Sequence, residues 1–271
     1  MTILITTLVI AAIGIVVGAG LVYTGKKFEV KVDERESAVR EVLPGNNCGA
    51  CGFAGCDAMA AAIVNGEAPV GGCPVGGAPV AKQIASIMGV DAEAVERKVA
   101  FVRCAGSCEV THNQGNYIGV MDCRSAVLSG LNVTDCAFGC LGFGSCATVC
   151  PQDAIQVKDG VAIVNRKKCV GCGLCVKACP KGLIELVPES KRVSVRCSNH
   201  DRGPLVKKVC AVGCIGCGVC TRQCEHDAIH VEAGLAQVTY ENCVQCGKCA
   251  LKCPMKAITL PPAEYMQREA V

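Results

Sequence analysis

Residues 169–180 read CVGCGLCVKACP, with cysteines at 169, 172, 175 and 179 and a closing Pro180. The run returns as CVQCGKCALKCP at 243–254 and as CIGCGVCTRQCE at 214–225, where Glu225 stands in place of proline. Thiols two or three residues apart face a common metal more readily than they pair with each other. The runs belong to a longer duplication. Cys136, Cys140, Cys146, Cys150, Cys169, Cys172, Cys175 and Cys179 recur 74 residues later as Cys210, Cys214, Cys220, Cys224, Cys243, Cys246, Cys249 and Cys253. Asp153-Ala154-Ile155 likewise matches Asp227-Ala228-Ile229. Self-similarity at a fixed offset marks a duplicated structural unit.

The spacing C-x2-C-x2-C-x3-C-P is that of bacterial ferredoxins, whose thiolates hold [4Fe–4S] clusters and whose fourth cysteine ligates the other cluster of a pair. On that rule the last unit holds two clusters, one on Cys214, Cys217, Cys220 and Cys253, the other on Cys243, Cys246, Cys249 and Cys224. The middle unit departs at one position, because Phe143 stands where the repeat has Cys217. One cluster is still complete, on Cys169, Cys172, Cys175 and Cys150. The other keeps Cys140, Cys146 and Cys179 and lacks a ligand. Cys136, four residues before Cys140, is the expected substitute; the alternative is a three-thiolate site. Cys210 counts against the substitution, since it matches Cys136 in a unit with no vacancy.

Upstream, Cys48, Cys51 and Cys56 lie close together in a glycine-rich stretch, with Cys73 as a distant fourth thiol. Glycine allows the tight backbone that lets such thiolates converge. Five sets of four thiolates are therefore expected. Cys104, Cys108, Cys123, Cys197 and Cys210 remain, enough for a sixth cluster, with Cys104, Cys108 and Cys123 as first candidates, or else reduced structural thiols. Val102-Arg103-Cys104 and Val195-Arg196-Cys197 are alike, so both belong to the lead-in of a repeat.

Composition excludes several other functions. The chain has 271 residues, 25 of them cysteine, a net charge of +3 and 3% aromatics. So weak a charge, with so few stacking platforms, argues against nucleic acid. The odd cysteine count and the chain length argue against a disulfide framework. Gly139, Gly142 and Gly144 do not make a dinucleotide fingerprint, no Walker motif is present, and His112, His200, His226 and His230 are scattered, so no catalytic residues are assigned. A four-thiolate cluster has no open metal position for a substrate; electron transfer is the expected work.

Residues 3–23 are uncharged and almost all apolar, long enough to span a bilayer as one helix. Lys26, Lys27 and Lys31 would hold the downstream chain on the cytoplasmic side, and Gly14 and Gly18 form a GxxxG that would admit a second helix. Residues 28–42, with Glu29 and Asp33, read as a linker or short helix. Helix is expected over Asp57–Val64 and again through 80–103.

A single N-terminal span, then CGACGFAGC with a distant Cys73, then duplicated ferredoxin-type runs resembles the RnfB (RsxB) family, the iron–sulfur subunits of the Rnf complex, over nearly the whole chain. The resemblance implies an α+β fold: a transmembrane anchor (1–26), a linker (27–42), a four-iron cluster domain (43–90), a connecting region (91–130) and two ferredoxin-like domains (131–189 and 190–271). It implies a subunit that accepts electrons from soluble ferredoxin. The electrons pass to NAD through membrane ion-translocating subunits and an NAD- and flavin-binding subunit, coupled to Na+ or H+ movement. It implies a single-pass protein of the cytoplasmic membrane with its clusters on the cytoplasmic side. The competing reading is a membrane-tethered polyferredoxin serving another oxidoreductase.

Overall fold

The computed structural model describes residues 2–27, 33–91, 96–111, 117–130 and 134–260. Glu29, Lys31, His112 and the tail from 261 onward lie outside them. Helix α1 is Thr2–Lys27, the stretch expected to span a bilayer. That expectation is corrected: among the described residues, no helix is long and apolar enough to cross a membrane. A Cβ added at Gly14 or Gly18 meets nothing within 4 Å, so none of the described residues packs on the GxxxG.

The first packed layer is helical. Asp33 caps α2 (Glu34–Val42) by accepting the Arg35 N–H. Helix α3 (Cys56–Val64) falls where its alanine-rich sequence predicts, and α4 is Gly77–Met88. Val39, Met59, Ile63 and Ile84 form their shared core. The helix expected through 80–103 is corrected. Gly89 caps α4 with φ +67°, and residues 98–102 are strand, rich in the β-branched and aromatic residues that favour it.

That strand, β1 (Lys98–Val102), opens the first repeat. The repeat continues with α5 (Cys123–Leu128), α6 (Ser145–Thr148), β2 (Ile155–Lys158), β3 (Val161–Val164), α7 (Leu174–Ala178) and β4 (Ile184–Pro188). The second repeat has α8 (Gly203–Val209), α9 (Val219–Arg222), β5 (Ile229–Glu232), β6 (Leu235–Val238) and α10 (Lys248–Leu251). Strands β2 and β3 pair antiparallel, as do β5 and β6. Asp159 and Gly160 make the first hairpin turn with φ +50° and +78°, the two-residue turn whose twist suits paired strands.

Strand β1 pairs antiparallel with β4, Val102 opposite Ile184. The second repeat reproduces this closure with a single bridge between Val195 and Ile258. The next amide repeats it too: Arg103 N–H donates to Leu183 O at 2.7 Å, and Arg196 N–H to Ala257 O at 2.7 Å. Thiols are part of the cores themselves. Cys146, Cys169 and Cys175 pack with Val99, Ile155 and Leu183, and Cys220 and Cys249 pack with Val193, Ile229 and Leu235.

Candidate metal centres

Each short run builds its site in one way. The residue before α6, α7, α9 and α10 is Gly144, Gly173, Gly218 or Gly247, with φ of 78°, 76°, 67° and 74°. This left-handed turn is open to glycine at little cost. It reverses the chain so that the cysteine just after it rides the helix inward, and Cys146, Cys175, Cys220 and Cys249 are all buried.

The thiols gather in sets of four around cavities. Cys150, Cys169, Cys172 and Cys175 line one of about 330 Å³. Cys214, Cys217, Cys220 and Cys253 line one of about 350 Å³, and Cys224, Cys243, Cys246 and Cys249 another of about 350 Å³. In all three the fourth cysteine of one run crosses to its partner, as the spacing rule requires. In the N-terminal layer, Cys51, Cys56 and Cys73 pack on the α2–α4 core. Burial pushes the Cys73 thiol up, with the neighbouring Cys51 and Cys56 adding to the rise.

The thiols of the defective run gather with a different cysteine from the one expected. Cys140, Cys146 and Cys179 share a cavity of about 420 Å³ with Cys123, not Cys136. Asp122 places it: its carboxylate accepts the Ser125 N–H at 2.9 Å, capping α5, and the Ser145 hydroxyl at 2.6 Å. Ser145 Oγ in turn accepts the Cys123 N–H at 2.8 Å. Phe143 turns away and packs its ring against Tyr117, centroids 5.2 Å apart. Cys136 lines an adjoining cavity of about 420 Å³ with Cys104, Cys197 and Cys210, and Cys140 lines both. The fifth leftover thiol, Cys108, is exposed, and its N–H is bonded to Asp159 O at the β2–β3 turn.

Main-chain amides point at the sulfurs. Ala100 N–H reaches Cys169 Sγ at 3.3 Å, Ala154 N–H reaches Cys150 at 3.4 Å and Leu183 N–H reaches Cys179 at 3.4 Å. In the second repeat Ala228 N–H reaches Cys224 at 3.3 Å and Ala236 N–H reaches Cys214 at 3.5 Å. One side chain joins them, Gln245, whose Nε2 donates to Cys243 Sγ at 3.1 Å. The sequence alone did not single it out; its place inside the Cys243–Cys246 loop is the available signal.

Without metal the buried thiols of Cys146, Cys175 and Cys249 resist ionisation. Burial pushes Cys175 and Cys249 up to about 12, with neighbouring thiols adding to the rise. Cys146 is pushed up to about 11 by burial, then by Cys140, Cys123 and Cys179. Ligation must therefore displace protons. Among the described residues no group of His, Cys, Asp or Glu is drawn tightly enough to hold a single metal ion. The donor sets fit a polynuclear group, in which each thiolate meets its own iron.

Comparison with known proteins bears on the whole chain. A family model described as a putative Fe-S cluster matches residues 43–75, an LdpA Fe-S cluster-binding domain matches 132–190, and a 4Fe-4S dicluster domain matches 168–229 and 213–258. The chain is 46% identical over 258 residues to the B subunit of the Na(+)-translocating ferredoxin:NAD(+) oxidoreductase complex of Acetobacterium woodii, covering 95% of this chain and 78% of that one. It is 42% identical to the B subunit of the ion-translocating oxidoreductase complex of Methanosarcina acetivorans, covering 93% and 96%. This chain belongs to the RnfB family. With the Clostridium ljungdahlii relative, the B subunit of a proton-translocating ferredoxin:NAD(+) oxidoreductase complex, identity is 43% over 88% of this chain and 84% of that one. Membership of the RnfB family accounts for a chain that carries iron–sulfur domains and no assigned catalytic residue.

Proposed function

We propose that this chain is the electron-relay subunit of an Rnf-type complex. It takes electrons from reduced soluble ferredoxin and passes them towards NAD, in a complex whose membrane subunits translocate Na+ or H+. Its cluster-bearing body works at the cytoplasmic face of the cell membrane. The nicotinamide and flavins are held by other subunits, in keeping with the missing fingerprints here.

The observation that carries this reading is the crossed four-thiol cavities in a chain of this family. At least five [4Fe–4S] clusters are assigned. Their ligands are Cys48, Cys51, Cys56 and Cys73; Cys123, Cys140, Cys146 and Cys179; and Cys150, Cys169, Cys172 and Cys175. The last two sets are Cys214, Cys217, Cys220 and Cys253, and Cys224, Cys243, Cys246 and Cys249. Bound clusters supply one-electron transfer at potentials set by burial and hydrogen bonds to sulfur. The chain supplies both, through its buried cysteines and the amides aimed at them. Neighbouring sets abut. Cys146 adds to the rise at Cys175 and Cys220 to that at Cys249, behind burial and nearer thiols in each case. Cys48 adds to the rise at Cys172 in the same way, so the N-terminal set adjoins the first repeat.

The test is anaerobic purification with iron and acid-labile sulfide counting and redox-titrated EPR. Five sets predict at least about 20 irons, four per cluster. Zinc without sulfide would refute the relay. Gentle solubilisation that recovers no membrane-spanning partners would refute its place in the complex.

A further inference from the structure

Each ferredoxin-like unit places a cation on the main chain of one cysteine of a four-thiol set. In the first unit, Arg97 Nη2 donates to Cys169 O at 2.7 Å, and also to Lys167 O at 3.1 Å and Arg166 O at 3.3 Å. In the second, Lys191 Nζ donates to Cys243 O at 2.6 Å. Cys169 and Cys243 are equivalent in the duplication, each opening the last run of its unit. The two cations are not equivalent. Aligning Val102-Arg103-Cys104 with Val195-Arg196-Cys197 sets Arg97 opposite Ser190 and Lys98 opposite Lys191. The same contact is therefore built twice from different positions, and is not simply a copy left by the duplication.

The sulfurs of these two cysteines are served differently. Ala100 N–H donates straight to Cys169 Sγ at 3.3 Å. Strand β1 comes that close because residue 171 is glycine: a Cβ there would lie 2.3 Å from Lys98 O. The equivalent of Gly171 is Gln245, and its carboxamide stands between strand and sulfur. Val193 N–H, opposite Ala100 in the alignment, stops at Gln245 Oε1 at 2.8 Å, and Nε2 of the same side chain carries the bond on to Cys243 Sγ. Main-chain pairing shrinks in step, from five residue pairs between β1 and β4 to a single Val195–Ile258 bridge. The hydrogen bonds to sulfur differ between the units, while a cation at the carbonyl is common to both. Lys191 is held in place for it: Arg166 Nη2 donates to Lys191 O at 2.9 Å and to Glu189 O at 3.0 Å. The charge is felt at the sulfur as well. Burial pushes the Cys243 thiol up, and the Gln245 N–H and then the Lys191 charge pull it back.

We propose that Arg97 and Lys191 set cluster potentials, each lifting that of the set it touches. For Arg97 this is the set of Cys150, Cys169, Cys172 and Cys175, and for Lys191 the set of Cys224, Cys243, Cys246 and Cys249. A reduced cluster carries one more negative charge than an oxidised one, so a nearby cation favours reduction. Charge is one of the levers on the potential of such clusters. The bond to the carbonyl fixes the cation close to the set, which an unbound side chain at the surface would not do. The two cations do not act equally. Arg97 shares its charge with Glu189 at 3.3 Å, whereas among the described residues no carboxylate pairs with Lys191. The proposal rests on the relay reading.

The test uses the full chain, purified anaerobically, with iron and sulfide counted before redox-titrated EPR. Lys191→Gln keeps an N–H donor at this position and removes the charge. With iron content intact, one midpoint potential should fall. At a fixed potential the reduced-to-oxidised ratio of that cluster then drops about tenfold, equivalent to about 59 mV for one electron. Arg97→Gln should lower a different potential, and by less, because Glu189 already offsets part of its charge. Lys191→Arg should keep the wild-type value. A part confined to holding the backbone predicts that Lys191→Gln titrates like the wild type, and that result overturns the proposal. So does a fall that Lys191→Arg shares. If Lys191→Gln fails to fold or to take up iron, Arg97→Gln decides: a lowered potential supports the proposal and unmoved potentials overturn it. Any of these refutations leaves the relay standing, whereas zinc without sulfide in the wild type would refute the relay itself.

Discussion

Replacing Gln245 with leucine should lower the potential of one cluster and leave the others alone. Gln245 is 8% exposed and works at both ends. Its Nε2 donates to Cys243 Sγ at 3.1 Å, and its Oε1 accepts the Val193 N–H at 2.8 Å and the Arg192 N–H. It sits at φ +66°. Leucine inherits that strain, so the difference between the proteins reports the amide. A hydrogen bond to sulfur is strongest when the cluster is reduced and more negative, so its loss disfavours reduction. One such bond is worth about 0.5–1.5 kcal/mol. If most of that falls on the reduced state, the one-electron potential drops by roughly 20–60 mV, at 59 mV per tenfold. The stability cost is separate: Val193, 1% exposed, loses its acceptor, worth about 1–3 kcal/mol. Redox-titrated EPR of the anaerobic protein reads the potential, and denaturant unfolding reads the stability. A potential that stays put or rises, with iron content intact, would refute the argument that this side chain tunes the Cys243 set.

Cys123→Ser should remove or degrade one cluster, with a loss of about one to four irons, whereas Phe143→Cys should leave the iron count unchanged because Cys123 already fills the vacancy; iron analysis of the pair decides. Asp122→Ala removes the α5 cap, worth about 1 kcal/mol, and the Ser145 bond that holds Cys123. One cluster should then bleach faster under a chelator, followed by visible absorbance. Gly216→Ala would put a Cβ 2.6 Å from Gly234 O at φ +64°; strain of this kind costs about 1–3 kcal/mol, to be read as a lower denaturation midpoint. Removing iron altogether should abolish cooperative unfolding of both repeats, since the buried thiols then have nothing to bind.

Much of the site was legible because it is local. C-x2-C-x2-C-x3-C places three thiolates within one turn of loop and helix, and the glycine that turns the chain lies inside the motif. The crossing of the fourth cysteine is a rule of that motif, and the cavities around Cys175, Cys220 and Cys249 follow it. Helix α3 was legible from its alanines. The helix expected through 80–103 was not, since the pattern carried no sign that β1 would be claimed by β4, which lies far along the chain. The N-terminal stretch was read from hydropathy as a membrane span, and no described helix is long and apolar enough to cross one.

By itself the sequence determined the duplicated unit, the family and three crossed four-thiol sets, because each rests on spacing along a short length of chain or on a repeat visible at one offset. Tertiary structure alone decided the loose thiols. Nearness in sequence favoured Cys136 for the gap left by Phe143. Folding instead brings Cys123 there from a more distant part of the chain, through hydrogen bonds that run from Asp122 to Ser145. That frees Cys136 to meet Cys104, Cys197 and Cys210 where the two repeats join. A thiol's partner is set by where its backbone is tied, and these ties join segments that are far apart along the chain.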